Sequence, residues 1–203
     1  HYQINQYRYN MEKNSQALNT ALLIMDIQPA TMGMLGDAAP ALTTTLKKAI
    51  AAARNNDILV LYVVVGFRKG FPELGAQTTN ASFAALRNGA MPGLENPTVD
   101  SSVEPAADEM VITKRRVSAF AGSDLEVILR GHHIDHLVLT GIATSGVVLS
   151  TIREAADKDY RLSVLADACA DRDPEVHSVL VNKVFPRQAE VLTTDQWVAG
   201  LGR

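Results

Sequence analysis

Two charged residues stand where apolar runs stop. Asp26 closes "ALLIMD" (residues 21–26), and Lys114 follows "EMVIT" (109–113) in "VITKRRVSAF". A carboxylate placed directly after five apolar residues is partly desolvated, which raises its pKa and suits it to acid–base work. A lysine at the end of another strand can sit beside such an acid or stabilise developing negative charge. Each has a plainer reading: Asp26 as a helix cap or loop carboxylate, Lys114 as a surface cation in one cluster with Arg115 and Arg116. A third stretch, "LVLTGIATSGVVLST" (137–151), passes from an apolar run through Gly141 into a helical pattern near Ser145. The amides of Ser145, Gly146 and Val147 open that helix and can hold an anion or oxyanion; an ordinary strand–helix turn has the same pattern. The first helical turn carries no Cys, His, Asp or Lys.

Other nucleophiles are poorly placed. Ser145 and Ser150 offer hydroxyls, but a serine nucleophile needs an adjacent base. Asp26 is the one candidate base, and Ser145 reads more simply as a helix cap. No G-x-S-x-G elbow, G-x-G-x-x-G fingerprint or P-loop follows a strand, so dinucleotides and nucleoside triphosphates are not indicated. The single cysteine, Cys169 in "LADACAD", reads as a small buried residue. His132, His133 and His136 gather at the amino end of a strand and read as a solvated connection.

The elements that must position these residues alternate along the chain. Strand-like runs fall at 21–26, 57–67, 109–113, 136–141, 161–167 and 189–193. Helical patterns fall at 40–56, 123–133, 145–159, 173–185 and 194–201, the second with Ser123 and Glu126 spaced as a capping box. Continuous apolar strands separated by helices predict an α/β fold of three layers. A six-stranded, mostly parallel sheet carries helices on both faces. Ligands bind such sheets beyond the carboxyl ends of the strands, where Asp26, Lys114 and the 141–147 turn all lie. Residues 68–108, rich in Gly, Pro, Asn and Thr, predict a long loop with a short helix near 80–88, of the kind that forms a lid or a subunit contact. Phe67, Phe71 and Phe120, with the 68–108 loop, are expected to wall the pocket by their position after the second and third strands. Arg68, Lys69, Arg115 and Arg116, together with Lys114, favour an anionic substrate or else form an exposed rim.

The totals narrow the class. The chain has 203 residues, 47% hydrophobic and 20% charged, and a net charge of −3. That suits one ordinary domain with a real core and argues against a general nucleic-acid binder. No apolar run approaches membrane-spanning length. One cysteine excludes an internal disulfide, and a cytoplasmic location is the default expectation. The first ten residues, "HYQINQYRYN", differ in composition and read as a tag remnant or unpacked arm, leaving 11–203 as a single domain.

Three stretches in this order, "ALLIMDIQ", "KRRVSAFAGSDLEVILRGHHIDHLVLTGIAT" and "STIREAADKDYRLSVLADACAD", resemble the isochorismatase-like hydrolase superfamily, also called the cysteine hydrolase family. The resemblance runs from about residue 20 to about 193. It implies a Rossmann-like topology and a small-molecule hydrolase. Amidase members use an Asp, a Lys and a Cys; Asp26 matches the first and Lys114 the second. The family's turn resembles G-[VI]-[AS]-T-x-x-C-V, which places the glycine at Gly141 and the cysteine slot at Val147. Valine cannot attack a carbonyl, so the covalent thioester route is closed, and Cys169 lies a strand away. The resemblance also implies a cis peptide at Ile142–Ala143.

Members that hydrolyse a vinyl ether need proton delivery and water attack, not an acyl intermediate. Asp26 and Lys114 suffice for that in outline, although their usual G-V-Y-A-H turn is missing here. The metal-holding D-x-H pair of nicotinamidases is also missing, so neither metal nor cofactor is expected. Catalysis is expected of Asp26 and Lys114. Substrate contacts are expected of Gln28, Phe67, Phe120, Ile142, Ala143, Ser145, Gly146 and Val147. A homo-oligomer, dimer or tetramer, is implied, with no nucleic-acid or membrane partner. The alternative is a catalytically silent member that binds a small molecule or serves as an oligomeric interaction protein.

Overall fold

A computed structural model describes residues 19–88 and 94–201. The tag or arm expected over residues 1–10 lies outside them. Strands run β1 (Thr20–Met25), β2 (Leu59–Val65), β3 (Met110–Lys114), β4 (His136–Ile142), β5 (Arg161–Ala170) and β6 (Glu190–Leu192). Helices run α1 (Pro29–Gly33), α2 (Ala39–Asn55), α3 (Ala81–Arg87), α4 (Leu125–Gly131), α5 (Leu149–Asp157), α6 (Pro174–Val179) and α7 (Thr194–Gly200).

The six strands form one sheet in the order β3-β2-β1-β4-β5-β6, with every pairing parallel. Such strands are buried on both faces, which is why they read as unbroken apolar runs rather than alternating ones. Leu23, Leu61, Leu139 and Val164 face a layer that includes Leu125 and Leu129 of α4 and Ile152 of α5. Leu22, Val60, Tyr62 and Val138 face Leu46, Ile50 and Ala53 of α2 and Trp197 of α7. A third, smaller cluster of Phe67, Leu74, Phe83, Leu86 and Leu94 gives the long loop a core of its own.

The strand order reverses direction at β1, so β1 and β4 flank the point where a crevice must open at their carboxyl ends. Two glycines permit the close approach there. Gly141 has φ +150°, and a Cβ on it would lie 2.4 Å from the Met25 carbonyl oxygen. A side chain on Gly66, just past β2, would meet Pro97 at 2.3 Å.

Several local expectations need correction. The helix expected from Ser145 begins at Leu149. Thr144–Val148 form a wide turn in which Gly146 adopts φ −101°, ψ −107°. The residue expected to cap that helix, Ser145, makes no such cap. Ser123 and Glu126 do not form the expected box; α4 starts at Leu125, and the Ser123 hydroxyl donates to the Ala119 carbonyl at 2.6 Å. The helix expected over 173–185 is α6 followed by a second wide turn at Leu180–Val184. β5 runs three residues past its expected end at 167, and its register against β4 shifts between Leu139 and Gly141. The short helix α3 lies where the loop pattern places it, with the Asn80 side chain accepting from the Phe83 amide.

Candidate active site

Asp26 is the residue at which β1 stops. Its φ of +56° turns the chain out of the sheet, a conformation that Asp tolerates better than bulky residues do. Its amide still donates to the Val63 carbonyl at 2.8 Å, and the Thr31 hydroxyl donates to its carbonyl. Lys114, the last residue of β3, is only 2% exposed, and its Nζ lies 3.0 Å from Asp26 Oδ2. The two remaining ammonium protons are also committed, to the carbonyls of Arg116 at 2.7 Å and Val117 at 2.9 Å. The strand order puts β2 between the strands that carry these residues, yet the pair meets because both side chains leave carboxyl ends.

Burial pushes the Asp26 carboxyl up to about 6, although the Lys114 charge and hydrogen bond pull it down. Its other oxygen, Oδ1, is buried without a hydrogen-bond partner. A buried acceptor of this kind is costly unless something arrives to donate to it.

Gln28 is buried at 2% exposure and clamps backbone. Its Oε1 accepts from the Val65 amide at 2.9 Å, and its Nε2 donates to the Val65 carbonyl at 3.2 Å.

The turn after β4 begins with a cis Ile142–Ala143 peptide, at the bond expected. Val147 is 2% exposed and belongs to the apolar layer that also holds Met25, Leu139 and Cys169. The turn's amides are partly engaged from within. Ser145 N–H donates to Asp171 Oδ2 at 2.8 Å, and Gly146 N–H donates to the Ala143 carbonyl at 3.0 Å. The Asp171 carboxylate therefore occupies the anion-binding position expected at the first of these amides. Burial works upward on its carboxyl, but bonds from Ser145, Asp173 and Arg172 outweigh that and hold it below the ordinary range. Thr144, fully buried, shares a 2.7 Å hydrogen bond with His177 Nδ1. Burial lowers the His177 pKa, and the Asp171 charge opposes this.

Sequence reasoning did not single out Thr144, Asp171 and His177 as a group. Their partners lie 26 and 33 positions apart, and no spacing signal links them. Cys169 sits on β5 opposite Gly141, and burial drives its thiol up to about 12, so it remains a thiol at neutral pH.

The aromatic residues divide. Phe67 packs against Phe71 at 5.9 Å and Phe83 at 5.8 Å, within the core of the long loop. The aromatic contacts of Phe120 lie elsewhere: its ring stacks on Tyr160 at 6.0 Å with the Lys158 ammonium above it. Most of the basic residues have partners. Arg68 pairs with Glu73 at 2.7 Å and Arg115 lies 3.8 Å from the same carboxylate, while the Arg116 guanidinium donates to the Arg115 and Glu73 carbonyls. Among the described residues, no group of three or more His, Cys, Asp or Glu converges as a metal cage would require. None of the described helices is long and apolar enough to cross a membrane.

Comparison with known proteins gives a consistent result. The model of the isochorismatase domain matches residues 20–196. An isochorismatase family protein of Escherichia coli O157:H7, YecD, is 32% identical over 183 residues, covering 89% of this chain and 95% of that one. The ureidoacrylate amidohydrolase RutB of Serratia proteamaculans is 31% identical, covering 77% of this chain and 71% of its own length. An isochorismatase family protein from Burkholderia thailandensis shares the fold, with a TM-score of 0.79 at 24% identity over 91% of this chain and 96% of that one.

Proposed function

The chain belongs to the isochorismatase family and is a hydrolase, and we propose that it works with water activated at the Asp26–Lys114 pair, without a covalent enzyme intermediate. One observation carries the reading. Asp26 is buried with one oxygen on Lys114 at 3.0 Å and the other unpartnered, an acceptor available to a water molecule or a substrate donor. A carboxyl raised to about 6 is ionised at neutral pH, yet basic enough to take a proton from attacking water. In the proposed step the water oxygen bonds to the electrophilic carbon of substrate while its proton passes to Asp26. The same proton then goes to the leaving group as its bond breaks, so Asp26 ends as it began. Lys114 holds the carboxylate in place and offsets its negative charge within the apolar surroundings.

Val147 stands where the resemblance puts a nucleophile, and Cys169 is held as a neutral thiol, which supports a route through water. The substrate is a small molecule, in keeping with relatives named for acting on ureidoacrylate or N-carbamoylsarcosine. The anionic preference expected from the basic cluster has weaker support. Lys114, Arg68 and Arg115 face carboxylates of the chain itself, and the Arg116 guanidinium is spent on backbone carbonyls.

The test is a screen of isochorismate and a panel of small amides against wild type, Asp26→Asn and Val147→Cys. Turnover by wild type that Asp26→Asn abolishes is the expected result. Amidase activity that appears only in Val147→Cys would replace this reading with that of a disabled amidase scaffold. A wild type inert on every compound would favour the silent, binding or interaction role.

A further inference from the structure

We propose that Gln28 is a positioning residue that sets the Asp26–Lys114 pair by standing in for a missing length of β1. The pairing of β1 with β2 ends at Met25 opposite Val63, and Asp26 then turns away. β2 runs on to Val65, which pairs with Lys114 on its other side. The edge of Val65 that faces β1 is thereby left without a strand partner at a half-buried place. An unpaired buried N–H and C=O would each be costly there. The primary amide of Gln28 presents one donor and one acceptor, as a peptide group does. It makes both bonds to Val65, at 2.9 Å and 3.2 Å, and is itself 2% exposed.

The consequence is mechanical. With Val65 held from the Asp26 side, its neighbour Lys114 is held at the level of Asp26. The next residue of β2, Gly66, secures the same point by donating its amide to the Lys114 carbonyl at 3.1 Å. A continuous path of hydrogen bonds and one peptide bond thus runs from the turn after Asp26 through Gln28, Val65 and Gly66 to Lys114. Gln28 touches neither carboxylate nor ammonium in this arrangement; it acts through the backbone of β2. That assignment differs from the substrate contact expected of it, because its carbonyl and an amide proton are already committed.

The catalytic part of this inference rests on the proposed Asp26–Lys114 mechanism, so one readout is chosen to be independent of turnover. The Lys114 ammonium donates to three acceptors, and its protons are observable by nitrogen-edited NMR when exchange with water is slow. In Gln28→Met, which keeps the bulk and loses both bonds, exchange of these protons is expected to accelerate at least about tenfold. Turnover should fall about tenfold through kcat, with KM changed less than about twofold. Gln28→Glu accepts from the Val65 amide but cannot donate to its carbonyl while ionised. It should give an intermediate acceleration that reverses as acid protonates the new carboxyl, and it carries the test if the Met variant fails to fold.

Ile50→Val, a core change in α2, should lower stability and leave Lys114 exchange as in wild type. Unchanged Lys114 exchange in a folded Gln28 variant overturns the positioning role, whatever happens to turnover. Accelerated exchange in a protein that hydrolyses nothing would support that role and sink the hydrolytic mechanism instead.

Discussion

Replacing Asp26 with Asn should change how stability depends on pH, and the size of the change follows from the site. At 3.0 Å and an effective dielectric of about 20, the attraction between Asp26 and Lys114 is roughly 5 kcal/mol. That alone would pull the carboxyl far below its ordinary 3.8. It stands instead at about 6, so burial must outweigh the attraction. The net upward shift of about two units corresponds to about 3 kcal/mol, which puts the burial cost near 8 kcal/mol, a reasonable penalty for an ion taken from water into an apolar site.

A folded-state pKa raised above the unfolded one means that the native state holds the proton more tightly. Stability is therefore favoured below about pH 4 and is lost as pH rises to about 6. Urea unfolding of wild type and Asp26→Asn at steps from pH 4 to 7.5 brings out this contribution, because titrating groups remote from Asp26 cancel in the difference. The wild type should lose about 2.4 kcal/mol relative to the variant across that window, with any constant offset from the broken ion pair leaving the slope untouched. A flat difference, or one in which wild type gains stability with pH, would show that the ion pair wins over burial and would refute the assignment of Asp26 as a raised-pKa base.

Other consequences are equally open to measurement. Lys114→Met should abolish turnover and cost about 2–5 kcal/mol by urea titration, because the Arg116 and Val117 carbonyls lose their donor and Asp26 loses its counter-charge; a variant as stable and active as wild type would contradict this. Cys169 should resist a thiol-reactive chromogenic reagent at pH 8 in the native protein and react at once in denaturant, since burial holds it as a thiol. Gly141→Ala should cost more than about 2 kcal/mol, as both its φ and its 2.4 Å approach to the Met25 carbonyl exclude a methyl group.

The sequence was most legible where one residue's position decided its surroundings. Asp26 and Lys114 stand at the ends of apolar runs, and a parallel sheet places all such ends on one side, so their meeting is a consequence of topology. The cis bond at Ile142–Ala143 came from the resemblance and from nothing in the local composition. What escaped were contacts between distant segments and the uses to which polar side chains are put. Gln28 is expected to contact substrate; that both ends of its amide are taken up by the Val65 backbone depends on where β1 stops. Ser145 looked like a cap and Ser123–Glu126 like a capping box, but a wide turn delays α5 by four residues and α4 starts past Ser123. Phe120 follows a strand end as Phe67 does, yet its ring stacks on Tyr160. Asp171 and His177 were unremarkable in sequence, and they matter because the segment after β5 returns to hold the turn after β4.

The central claim, that Asp26 activates water at this site, is tested most directly by the pH dependence of kcat/KM for whichever compound the wild type hydrolyses. The account predicts an ascending limb centred near pH 6 that is lost in Asp26→Asn together with about 10²–10⁴ of the rate. A rate that is flat from pH 5 to 7, or one that Asp26→Asn leaves unchanged, would contradict it.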